Sequence, residues 1–113
     1  MSRQTDLGTV QVRNEVIGTV ASLAAQEVEG VVGVWPGIFP ISIFLKDGGV
    51  RVDTKGEEVR LWLSLVVEYG VSLPAVASQV QERVREMIEK MTNLTAVEVH
   101  VSIHHVEKSG AKR

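Results

Sequence analysis

Two long strand-patterned runs flank one amphipathic helix in the second half of this chain, and that unit constrains the fold more than any other feature. From Val59 to Tyr69 the residues alternate. Val59, Leu61, Leu63, Leu65 and Val67 fall on one face, and Arg60, Trp62, Ser64, Val66 and Glu68 on the other. After a break at Gly70, Ser72 and Pro74 open a helix whose apolar stripe is Val76, Ala77, Val80, Val84, Met87, Ile88 and Met91. Ser72 reads as its cap, and Asn93 ends it in a left-handed conformation. Val97, Val99, Val101 and Ile103 then alternate with Glu98, His100, Ser102 and His104 along a last strand.

The first half repeats the theme less regularly. Leu7 to Arg13 reads as a short strand, and Asn14 as the N-cap of a helix. That helix carries Val16, Ile17, Val20, Ala21, Leu23, Ala24 and Val28, with a packing reason expected for Gly18 and a positive φ for Gly30. Val31 to Trp35 reads equally as a brief strand or as the helix exit. Pro36 and Pro40 make the next stretch irregular, Ile41 to Leu45 can resume as an extended piece, and Lys46 to Gly49 is a turn. Val50 to Thr54 pairs as a hairpin with the strand at Val59. The resulting order is β-α-β-β-α-β with an irregular apolar insert after the first helix. Two helices with single stripes want the same face of one mixed or antiparallel sheet, so an α+β two-layer sandwich of split βαβ type is expected. Residues 1–6 and 107–113 read as flexible ends around a single domain at 7–106.

A chain of 113 residues, 44% hydrophobic and 23% charged, supports one small core. A net charge of −2 argues against a general nucleic-acid binder, which needs a basic stripe. The absence of cysteine rules out thiol catalysis and disulfides and suits a reducing cytoplasm. The N-terminus lacks the apolar stretch of a signal peptide, and Val31 to Leu45 is too broken to span a bilayer. A cytoplasmic protein is expected, with any membrane role peripheral or through a partner.

No pattern demands catalysis. His100 and His104 share a strand face about 13 Å apart, too far for one metal ion unless the strand bulges, and His105 points the other way. The glutamates occupy turns and the wet side of the second helix, where Glu82, Glu86 and Lys90 have ordinary surface spacing. The glycine pairs lack the spacing of a phosphate loop, and no nucleophile elbow occurs. We therefore expect no catalytic residues, no metal and no cofactor.

Two features point to partners instead. Trp35, Ile38, Phe39, Ile41 and Phe44 concentrate three of the chain's five Trp, Tyr and Phe residues in one loop-like stretch. Packed on its own sheet edge, that stretch is structural; exposed, it is a contact patch. Trp62 and Val66 lie on the sheet face opposite the helices, beside His100, and form a second candidate surface.

Asn14-Glu15-Val16-Ile17, Glu27-Val28 and Gly30-Val31-Val32-Gly33 resemble the N-terminal half of the alkaline-shock-protein-23 family, also called the general-stress-protein-24 family. Gly49-Val50-Arg51-Val52, Val66-Val67-Glu68-Tyr69-Gly70, Pro74-Ala75-Val76-Ala77, Met91-Thr92-Asn93-Leu94 and Val97-Glu98-Val99-His100-Val101 extend the likeness over residues 7–106. Where family members commonly carry a longer glycine-rich or charged connection, this chain has the apolar Trp35–Leu45. The resemblance implies a non-enzymatic bacterial protein of the envelope stress response, self-associating or held at the membrane by a protein partner. An accessory subunit of a fatty-acid or lipid-metabolic enzyme is the alternative it implies. A histidine-based metal protein is the remote one left by the residues themselves.

Overall fold

The computed structural model describes residues 2–35, 50–94 and 96–108. Its elements are β1 (Ser2–Thr5), β2 (Gly8–Gln11), α1 (Asn14–Gln26), β3 (Val31–Trp35), β4 (Arg51–Lys55), β5 (Glu58–Glu68), α2 (Leu73–Thr92) and β6 (Ala96–Glu107).

β5 organises the molecule. β6 runs parallel to it from Glu58↔Ala96 to Glu68↔Glu107. That leaves one edge of β5 for everything else, and both β3 and β4 pair there, antiparallel. Trp35 lies opposite Ser64 and Arg51 opposite Trp62. β3 and β4 are thus two halves of one interrupted strand, with the interruption falling at Leu63. Val31–Trp35 is therefore a true strand, and it takes the place in the sheet that the sequence pattern assigned to residues 7–13. The latter shorten to Gly8–Gln11 and pair with Ser2–Thr5 in a separate two-stranded hairpin. Residues 2–5, expected to be loose, are strand because the Asp6–Leu7 turn folds them back; Thr5 Oγ1 donates to the Gly8 carbonyl at 3.1 Å.

Alternation decides which face is dry. Val59, Leu61, Leu63, Leu65 and Val67 are buried, and both helices cover that face, as an α+β sandwich requires. α2 contributes Val76, Val80, Val84 and Ile88 at a strict four-residue spacing, and α1 contributes Ile17, Ala21, Ala24 and Ala25. The small residues of α1 and its buried Gly18 let the two helices lie close. The α1 stripe differs from its reading at three residues. Val16 and Leu23 are about half exposed, while Ser22 is buried. Met91, read into the α2 stripe, also faces outward.

The ends of the elements follow local chemistry. Ser72 Oγ accepts from the Ala75 amide at 3.4 Å, and Asn93 closes α2 at φ 61°. Gly30 adopts φ +97° and lies under Val76 and Val71. Asn14 is the first residue of α1 rather than its cap; its Oδ1 accepts instead from Thr54 Oγ1 on β4, and Arg13 precedes the helix without a side-chain cap. Glu27, just past α1, binds Arg83 of α2 through Nε at 2.8 Å.

Candidate functional site

With both helices on one side, the other side of the sheet carries the residues with recognition chemistry. At its centre Arg51, Trp62 and His100 stand abreast on β4, β5 and β6, because their backbones are paired in register. The Trp62 and His100 rings stack 5.4 Å apart at 14°. The Arg51 guanidinium sits 4.7 Å above the same indole. One strand row thus stacks a cation, an indole and an imidazole.

The next layer is built differently. Trp35, from β3, and His104, from β6, stack 4.3 Å apart at 17°. They come from opposite flanks of β5, and the residue in register with Trp35 is Ser64. A serine there is small enough for two rings to meet above the central strand. His104 lies at a bulge in β6: Leu65 pairs with Ile103 but Val66 pairs with His105. The bulge also corrects the position of His105. The alternation put it on the helix side, yet it stands opposite Val66 on the open face.

Toward the start of β5 the face becomes charged. Asp53, Arg60 and Glu98 share a row, as do Lys55 and Glu58. Glu98 receives His100 Nε2 at 2.9 Å and faces Arg60 Nε at 3.8 Å, both through Oε1. Arg60 and Glu98 are each more than half exposed, so that ion pair contributes little to stability. At the opposite end Val32, Gly33, Trp35, Val66, His105 and Glu107 line an apolar hollow of about 90 Å³. That volume takes a side chain and falls short of the few hundred Å³ of a metabolite pocket.

Of the candidate residues, Trp35, Trp62, Val66 and His100 come together on this face. His100 is exposed, Trp35 and Trp62 are half-buried, and Val66 is almost covered at 7%. Ile38, Phe39, Ile41 and Phe44 lie outside the described residues. Arg51 and His104 belong to the site and were missed. The register Arg51↔Trp62 reveals the first once the hairpin loop is fixed at Gly56-Glu57; alternation already sets the second on the face of His100, but its stacking partner Trp35 reads as part of a loop-like stretch. Among the described residues no three His, Asp or Glu side chains converge on a point that could hold a metal ion. No helix there is long and apolar enough to cross a membrane.

The sequence matches, over residues 2–108, the profile of the alkaline-shock-protein-23 family, described as having a cell envelope-related function. The chain belongs to that family. Within the alkaline-shock-protein-23 group, YqhY of Bacillus subtilis is 36% identical over 88% of this chain and 77% of its own length. YloU of the same organism is 28% identical over 91% and 92%. A stress response regulator gls24 homolog of Streptococcus pyogenes is 30% identical over 85% of this chain, which spans little more than half (57%) of that protein. Among solved structures, the nickel form of a MamM CTD variant aligns with TM-score 0.53 and 20% identity over 82% of this chain and 99% of that one. The copper form of another gives 0.54 and 19% over 84% and 100%. At such identity the alkaline-shock-protein-23 domain shares their fold alone.

Proposed function

We propose that this protein is a non-enzymatic scaffold of the envelope stress response, acting in the cytoplasm through self-association and through a protein partner bound on the open sheet face. The family assignment gives the envelope stress setting. The observation that carries the mechanism is the Arg51–Trp62–His100 row, with Trp35–His104 beside it, on a sheet face no described element covers. Trp and Arg are the residue types that concentrate binding energy in protein interfaces. Here both are prearranged on paired strands, so docking costs little side-chain entropy. Charges of both signs at one end supply orientation. A membrane-anchored partner would bring the protein to the membrane surface without a span of its own.

The test is affinity purification from the native cell with wild-type bait and with Trp62→Ala and Arg51→Ala baits, each first shown to be folded by circular dichroism. The expected result is a reproducible partner retained by wild type and lost by both variants. Equal recovery with all three baits would refute the assignment of this face.

A further inference from the structure

β6 pairs with β5 along one edge, and no described strand pairs with the other. Gln81 of α2 donates to the Val99 carbonyl at 3.1 Å, which marks that carbonyl as facing the free edge. Along a strand the N–H and C=O of one residue point the same way and the next residue's point oppositely. Val97, Val101 and Ile103 therefore present their backbone groups outward with Val99. The edge carries no proline or lysine from Ala96 to Glu107, and its bulge lies past Ile103, away from the strand's centre. Its helix-side row of Val97, Val99, Val101 and Ile103 is only half-buried. An open groove of about 380 Å³, lined in part by Gln81, Arg85, Val97 and Val99, runs beside it.

We propose that two copies of this chain pair their β6 strands antiparallel about a two-fold axis at Val101, joining two sheets into one. This names the surface for the self-association proposed above and rests on that reading. The sequence of the strand selects both the occupant and the register. With the axis at Val101, Val99 meets Ile103 on the helix side and Val101 meets itself. On the open face His100 meets Ser102, and Glu98 meets His104, twice by symmetry. Moving the axis to His100 sets that histidine against itself and gives Glu98 a serine. Moving it to Ser102 sets His100 against His104. The Val101 register alone of these three matches acid with base while keeping a continuous apolar row. It needs Gln81 to release one carbonyl, and it needs His104 to turn from the Trp35 ring, and Glu98 from His100, toward the second copy. The product is an isologous dimer whose two Arg51–Trp62–His100 rows lie on one continuous face.

The chain has no cysteine, so crosslinking reads the register directly. Val101→Cys places two thiols opposite one another within disulfide reach. Val97→Cys places them eight residues apart, roughly 26 Å. Under mild oxidation the first variant is expected to form a covalent dimer and the second to stay unlinked. In sedimentation, His104→Glu should raise the dimer dissociation constant about tenfold over His104→Lys, since both lose the ring and differ only in charge facing Glu98. Absence of the Val101→Cys crosslink in a protein that still oligomerises overturns the edge pairing and leaves self-association standing. Equal dissociation constants for the two His104 variants overturn the register. A chain monomeric at every concentration overturns the edge and the self-association together, while partner capture on the open face is read separately.

Discussion

Trp35 and His104 stack with centroids 4.3 Å apart although they stand on strands at opposite edges of β5. The contact ties the two flanks of the sheet together on the face the helices leave open. Replacing Trp35 by Ala is expected to lower unfolding stability by about 1–2 kcal/mol in urea titration. A double-mutant cycle with His104→Ala should give a coupling of about 0.5–1.5 kcal/mol. A coupling near zero would mean that the rings meet without holding anything.

Two leucines separate the core from its margin. Leu63 is buried at the point where β3 and β4 are interrupted, whereas Leu23 is 59% exposed on α1. Leu63→Ala should cost about 3 kcal/mol or more, because the rigid sheet cannot collapse into the cavity. Leu23→Ala should stay within about 0.5 kcal/mol. Chemical denaturation of the pair measures both.

Gly30 and Gly56 both have positive φ but differ in their surroundings. A Cβ on Gly30 would meet Val76 Cγ2 at 3.2 Å and Val71 Cγ1 at 3.3 Å, while one on Gly56 meets nothing within 4 Å. Gly56→Ala should therefore cost only the backbone term, about 1 kcal/mol. Gly30→Ala adds displacement of two valines and should cost about 2 kcal/mol or more. Similar melting temperatures for the two variants would contradict this.

At the end of α2, Asn93 is the one non-glycine residue of the described chain with positive φ. Asn93→Gly should be neutral or slightly stabilising in thermal unfolding, and Asn93→Ala should lose about 1 kcal/mol.

Much of this architecture was legible in the residues. The alternation of β5 and the four-residue repeat of α2 fixed which face is dry, and Ser72 and Asn93 marked the helix ends. What escaped has identifiable causes. Residues 7–13 alternate as a sheet strand should, yet alternation does not say which strand pairs with which, and β3 took the place in the sheet. The bulge that turns His105 to the open face arises from the pairing of β6 with β5, not from a residue type. Leu23 carries the right spacing for the core, but α1 buries a narrow stripe of alanines against α2 and leaves its flank wet. Trp62, Val66 and His100 could be placed together because they alternate on adjacent strands. Arg51 required the register, and the stack of His104 on Trp35 required the place of β3 in the sheet.

The interruption between β3 and β4 tolerates a change of length. Since both halves hold the same edge of β5, the sheet is complete whatever joins Trp35 to Val50, and lengthening that join twofold would cost only about 0.6 kcal/mol of closure entropy. A longer connection at this point would leave the rest of the domain's packing unchanged. Any such change would emerge beside the Trp35–His104 stack and alter the open face without touching the core.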